Sequence, residues 1–228
     1  MTLQIIQTPS ANFNERQHPL DMLVLHYTGM KDGPTALARM LDSKEPRVSA
    51  HYMVEEDGRV FQLVDESMRA WQAGRSWWRG DEDLNSRSIG IEIVNGGHDF
   101  GLPPFPDVQI EAVIALCQGI LGRWAIPPER IVAHSDIAPD RKEDPGERFP
   151  WKRLAEAGIG LWPQHARPEP WMKASSTLSW RNAPPSRLSS ARWRLTISPR
   201  SFCARHPPTA ICMPGRASLT GRRWPRLP

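Results

Sequence analysis

Cysteine is scarce in this chain: there are three among 228 residues, Cys117, Cys203 and Cys212, and no C-x-x-C pair. That excludes a disulfide framework. Long apolar runs are missing too, and nothing approaches the roughly 20 apolar residues that span a bilayer. The start, Met1-Thr2-Leu3-Gln4-Ile5-Ile6, lacks the basic residues and long apolar stretch of a secretory signal, so a cytoplasmic location is expected. Acid is what the last 64 residues lack. Residues 165–228 hold eleven Arg and one Lys against the single acid Glu169, a net +11, whereas the whole chain is +4. Residues 1–164 therefore carry 4 − 11 = −7. The basic balance belongs to the tail, and it does not make the body a nucleic-acid binder.

The tail has ten Pro and nine Ser and keeps no period longer than a few residues. Such a segment cannot bury enough apolar surface to offset its ordering entropy, so disorder is expected over 165–228. Its Arg/Pro/Ser/Trp mixture resembles what a GC-rich gene yields when read in a shifted frame. Its twelve cations would give strongly salt-dependent association with a polyanion, a binding role that comparing the full chain with residues 1–164 would test.

Residues 1–164 read as one domain. Positions 22–28 form a short apolar run without helical period, a buried strand. Gly33-Pro34 opens a helix with Ala36, Leu37, Met40 and Leu41 on one face. Ala50–Val54 and Val60–Val64 flank Asp57-Gly58, a hairpin signal. Ser88–Val94 alternates, with Ile89, Ile91 and Ile93 on one side and Glu92 on the other. Helical spacing at Ile110, Val113, Ile114, Cys117, Leu121 and Trp124 predicts a helix over 107–124, with Cys117 a buried reduced thiol on its apolar stripe. Ile131–Ala133 is a further strand and Trp151–Ala157 a short helix. This alternation predicts an α/β fold, a single mixed β-sheet flanked by helices.

Three residues offer metal ligands: His26 at the end of the first strand, His134 at the end of Ile131–Ala133, and Asp144 in Lys142-Glu143-Asp144-Pro145-Gly146. Each has an ordinary alternative reading, as a hydrogen-bonded sheet histidine or a turn aspartate. Together, two imidazoles and a carboxylate leave the fourth position of tetrahedral zinc for water, the pattern of a hydrolytic site. Glu92 is either a solvent-facing strand residue or the general base beside that water. Lys142 is either a surface lysine or a donor to a developing oxyanion. His51 is read as structural or supporting, His98 and Asp99 as loop residues. Trp71, Trp77 and Trp78 either wall a sugar site or pack at a rim.

The segments Val24-Leu25-His26-Tyr27-Thr28, Arg47-Val48-Ser49-Ala50-His51-Tyr52, Arg69-Ala70-Trp71-Gln72-Ala73-Gly74, Asn85-Ser86-Arg87-Ser88-Ile89-Gly90-Ile91-Glu92, Ala133-His134-Ser135-Asp136-Ile137-Ala138-Pro139 and Arg141-Lys142-Glu143-Asp144-Pro145-Gly146 follow in this order. Together they resemble the zinc-dependent N-acetylmuramoyl-L-alanine amidases of the amidase-2 type, from about Ser10 to Pro163. Among these, the chain looks most like the cytoplasmic anhydromuropeptide amidases of cell-wall recycling. The resemblance implies Zn2+ on His26, His134 and Asp144, proton handling by Glu92 and carbonyl polarisation by Lys142. It implies substrate binding by Arg47, Tyr27 and Trp71, with Arg47 forked onto a stem-peptide carboxylate. The implied partners are peptidoglycan fragments (muropeptides), with no specific nucleic acid, no membrane and a monomeric chain.

Two departures bear on this reading. Gln72 stands where the family usually has His, which touches any supporting or substrate role there but not the metal set. The helical peptidoglycan-binding domain of some relatives has no counterpart in the tail. The rival class is a non-catalytic peptidoglycan-binding module. Relatives of that kind lack one metal ligand, typically at the Asp144 position, whereas this chain has all three.

Overall fold

The computed structural model describes residues 3–163, so the expectation for the tail, 165–228, lies outside the described residues. Eight strands and five α-helices follow in the order β1 (Ile5–Gln7), β2 (Phe13–Glu15), β3 (Met22–Tyr27), α1 (Gly33–Leu41), β4 (Tyr52–Val54), β5 (Val60–Gln62), β6 (Met68–Ala70), α2 (Leu84–Arg87), β7 (Ser88–Ile93), α3 (Asp107–Arg123), β8 (Ile131–Ala133), α4 (His134–Ile137) and α5 (Trp151–Glu156). Six strands form one mixed sheet in the order β1-β5-β4-β7-β3-β8. Strands β4, β7, β3 and β8 run parallel, while β5 returns antiparallel on β4 through the Asp57-Gly58 turn. Gly58 turns there at φ +86°, a conformation that L side chains resist.

The strands at the centre are apolar on both faces because helices cover both. On one face Leu23, Leu25, Ile89, Ile91 and Ile93 pack against Ile110, Val113, Leu116, Cys117 and Ile120 of α3. On the other, Met53 and Phe61 meet Ala36 and Met40 of α1, and Met22 and Val24 meet Leu84, Val132 and Ile137. Each such aliphatic side chain contributes roughly 1.5–3 kcal/mol of burial. The Gln109 amide of α3 donates to the carbonyls of Val94 (2.8 Å) and Val54 (3.2 Å), which ties the helix to the ends of β7 and β4. Cys117 is fully buried, and burial pushes its thiol pKa up to about 12.

One element departs from the single expected sheet. Strands β2 and β6 form a separate antiparallel pair with Phe13 opposite Ala70. Three residues are too few to show alternation, and β2 is exposed throughout, so its sequence has no apolar face to reveal it. The arm that carries β2 is instead anchored by Arg16, whose guanidinium donates to the carbonyls of Ser86 (2.8 Å), Ser88 (3.0 Å) and Glu66 (2.9 Å).

Candidate active site

The site lies at the carboxyl ends of the parallel strands, where side chains leave the sheet into a crevice. Met22 to Leu25 are fully buried. His26 follows on the face shared with Met22 and Val24, since strand residues two apart point the same way. Strand β8 runs straight into the single turn α4, so His134 projects just past the strand end. The Asp136 carboxylate accepts from the Ala133 N–H at 2.8 Å and fixes that turn. The Ser135 N–H donates to the Asp144 carbonyl at 3.0 Å, which brings the 140s loop against it.

Three atoms converge. His26 Nδ1 and His134 Nδ1 are 2.9 Å apart, and Asp144 Oδ2 lies 2.9 Å from the first and 3.0 Å from the second. All three residues are buried. The outer nitrogens identify what fits between them. His134 Nε2 faces the Ala73 carbonyl at 3.1 Å, and His26 Nε2 faces the Gln72 amide oxygen at 2.5 Å. Both partners only accept, so each Nε2 carries a proton and each neutral ring turns a bare Nδ1 inward. Two lone pairs and a carboxylate then meet in a desolvated space, an arrangement that demands positive charge.

Without a metal, a proton fills that role. Burial alone disfavours a charged His26, yet the hydrogen bond to Asp144 and the charges of Glu92 and Asp144 carry its pKa above the ordinary value. Burial and the adjacent His26 push His134 down to about 4. Burial opposes an ionised Asp144, but its bonds to the two imidazoles hold the carboxyl far below the usual range. A divalent cation meets the same demand with three ligands, and tetrahedral bonds of about 2.0–2.1 Å set donor atoms roughly 3.3 Å apart, close to this triangle.

The triangle opens into a cleft of about 670 Å³ lined also by Tyr27, Trp71, Gln72, Glu92 and Lys142. Glu92 is the register partner of His26 on β7. Burial raises its pKa to about 7; Asp144 adds to the rise, while His26 and Lys142 oppose it. A carboxyl held near neutrality beside a cation socket is suited to taking and returning a proton.

Residues 16–147, more than half of the chain, match the amidase-2 family, described as N-acetylmuramoyl-L-alanine amidase. The chain belongs to this family. It is 44% identical over 160 residues to the N-acetylmuramoyl-L-alanine amidase AmiD of Escherichia coli, covering 65% of this chain and 56% of AmiD. It is 34% identical over 166 residues to the 1,6-anhydro-N-acetylmuramyl-L-alanine amidase AmpD of Haemophilus influenzae, covering 64% of this chain and 88% of AmpD. The solved complex of E. coli AmiD with the substrate anhydro-N-acetylmuramic acid-L-Ala-D-gamma-Glu-L-Lys aligns at a TM-score of 0.59 and 44% identity, over 64% of this chain and 60% of that one. The chain thus spans little more than half the length of AmiD.

Around the socket of this amidase-family chain the other sequence-named residues separate. Tyr27 lines the cleft, with its hydroxyl 3.1 Å from His98 Nδ1. Trp71 also lines it, and its indole N–H donates to Asn14 Oδ1 at 2.6 Å. Arg47 is not among the cleft-lining residues. It donates to Glu45 at 2.7 Å and stacks over the Trp71 ring, 5.1 Å from its centroid, at the rim. Trp77 and Trp78 do not line the cleft, and Trp77 is 57% exposed. His98 and Asp99, expected in a loop, form a 3-10 turn over His98–Phe100; His98 holds Glu147 at 2.9 Å and Asp99 is exposed.

His51 is fully buried inside the sheet layer: its Nδ1 accepts from the Gly90 N–H at 3.0 Å and its Nε2 donates to the Met68 carbonyl at 3.0 Å. Burial pushes its pKa down to about 3 and keeps it neutral. Gln72, noted in the sequence only as a departure from the usual His, lies against His26, a contact the sequence did not disclose. A buried amide bound to a ligand imidazole leaves no periodic or compositional trace.

Proposed function

We propose that this chain hydrolyses the amide bond between N-acetylmuramic acid, or its anhydro form, and L-alanine in peptidoglycan fragments, with zinc on His26, His134 and Asp144. The observation that carries this reading is the convergence of two imidazole Nδ1 atoms and a carboxylate oxygen beside the Glu92 carboxyl, whose pKa burial raises to about 7. Two imidazoles and one carboxylate form a catalytic zinc set, and a metal there would supply Lewis acidity and acidify a water.

The chain's own residues do the rest. Glu92 removes the proton from the attacking water as the lactyl carbonyl becomes tetrahedral, then returns it to the departing α-amine of L-alanine. That return is necessary because an amine anion is a poor leaving group. The Lys142 ammonium, on the same cleft wall, stabilises the negative charge that gathers on the carbonyl oxygen. Tyr27 and Trp71 wall the cleft where the sugar and peptide lie. A module that only binds muropeptides needs neither the three-atom socket nor a carboxyl near pH 7 beside it.

The test is to incubate the purified full chain with anhydromuramoyl tripeptide and with polymeric murein, with and without chelator, and to read products by mass spectrometry. Release of a peptide with a free N-terminal alanine, abolished by chelator and restored by Zn2+, is the expected result. Failure to cleave either substrate after zinc reconstitution overturns the proposal.

A further inference from the structure

We propose that Gln72 is a positioning residue that fixes His26 in the tautomer that can ligate a metal, through a three-member relay ending on the Leu84 carbonyl. The proposal rests on the metal reading above. The relay has a direction. Ser88 Oγ donates to the Leu84 carbonyl at 2.6 Å, which spends its only proton. Its lone pairs then accept from the Gln72 amide nitrogen at 2.6 Å. The amide is thereby oriented with its oxygen toward His26 Nε2, 2.5 Å away. An oxygen that cannot donate requires the proton on Nε2, and Nδ1 is left bare toward the socket. The orientation of one hydroxyl thus determines whether the inward nitrogen of a histidine 46 residues before Gln72 in the chain is bare or protonated.

The surroundings leave the amide little freedom. Gln72 is 9% exposed and Ser88 is fully buried. The backbone is clamped as well, because Asn85 Oδ1 accepts from both the Gln72 N–H (2.9 Å) and the Ala73 N–H (2.7 Å). A Cβ on Gly90 would lie 2.5 Å from Gln72 Cγ, so the space for this side chain exists only because position 90 is glycine. The same dipeptide serves the second ligand, since the Ala73 carbonyl accepts from His134 Nε2 at 3.1 Å. Residues 72 and 73 thus orient both imidazoles, one by side chain and one by backbone. Outer partners of this kind, when removed, typically cost about 10–100-fold in metal affinity.

The test is Zn2+ affinity of the full chain, measured by competition with a chromophoric chelator, for wild type, Q72M, Q72H and S88A, beside the melting temperature of each metal-free protein. Q72M keeps the volume and loses the acceptor. It should bind Zn2+ about 10–100-fold more weakly while its metal-free melting temperature stays near wild type. Q72H should recover most of the affinity, since one imidazole tautomer accepts from His26 and donates to Ser88. S88A frees the amide to flip and should weaken binding by a smaller factor. Wild-type affinity in Q72M overturns the proposal, as does an equal loss in Q72M and Q72H. Should Q72M fail to fold, wild-type affinity in S88A overturns it and weakened binding supports it. A wild-type chain that binds no Zn2+ at all overturns the metal reading itself, a separate result.

Discussion

His26 and Glu92 face each other across the parallel ladder of β3 and β7, in direct register. Residues paired in this way project to the same side of the sheet, so a candidate metal-binding imidazole and a carboxyl are held side by side by backbone hydrogen bonds rather than by a loop. Burial raises the Glu92 pKa, while the adjacent His26 pulls it back down. Glu92 lies close enough to feel His26 and Asp144 while opening onto the cleft.

Replacing Glu92 by Gln should therefore separate binding from turnover. The variant is expected to hold Zn2+ at wild-type stoichiometry by elemental analysis. Its kcat on anhydromuramoyl tripeptide should fall by roughly 10²–10⁴-fold, the usual share of a general acid–base group. Full turnover in this variant removes Glu92 from the mechanism.

The pH profile has a predictable sign. The base must be ionised to accept a proton, so kcat/KM rises with pH through the Glu92 pKa. Burial places that value near 7 without a metal, and a neighbouring dication lowers it, so the acidic limb should fall at or below about 7. Lys142 pulls the same pKa down. In Lys142→Met the limb should move to higher pH, in addition to a lower maximum rate.

Removing the metal should lower stability, because the three ligands come together only in the fold. At a free metal concentration 100 times Kd the gain is about 2.7 kcal/mol, or roughly 5–10 °C in melting temperature for a domain of this size. Asp144→Ala should abolish the response to Zn2+ and to chelator. Differential scanning fluorimetry with and without chelator reads both.

Far from the cleft, Glu66 accepts from Tyr52 Oη (2.8 Å), Trp124 Nε1 (2.7 Å) and Arg123 Nη2 (2.6 Å). Burial opposes its charge, but these donors, led by Arg123, depress its pKa. A depressed carboxyl pKa stabilises the fold above the unfolded value, about 4.3, and that gain disappears as pH falls through the folded-state value. Glu66→Gln should thus cost about 1–3 kcal/mol at neutral pH by urea denaturation, and the gap from wild type should close in acid.

The parts of the molecule that were legible in the sequence are those that repeat. Strand β7 announces itself because Ile89, Ile91 and Ile93 recur at the period of a sheet, and β3 because Met22–Leu25 is a short unbroken apolar run; both contribute to one core. Helix α3 does the same at the helical period. His26, His134 and Asp144, none distinctive alone, were legible as motifs in order, and the structure brings the three together. What escaped has no period to read. Strands β1, β2 and β6 are three residues each, and α2 and α4 are single turns. Buried polar contacts escaped for a different reason: Gln72 on His26, Asp136 on Ala133 and Arg16 on four carbonyls pair residues by geometry alone. Arg47 holds Glu45 and lies over the Trp71 face, contacts within reach of its own loop that its sequence neighbours do not announce.

The first and second imidazoles stand 108 residues apart in the chain, and the carboxylate comes 118 residues after the first. A polypeptide emerging from the ribosome therefore owns no high-affinity ion trap for most of its synthesis. The three-atom socket can close only after β3 has paired with β8 and the 140s loop has docked on the Ser135 N–H, so a chain cut anywhere before Asp144 holds at most two of its three donor atoms.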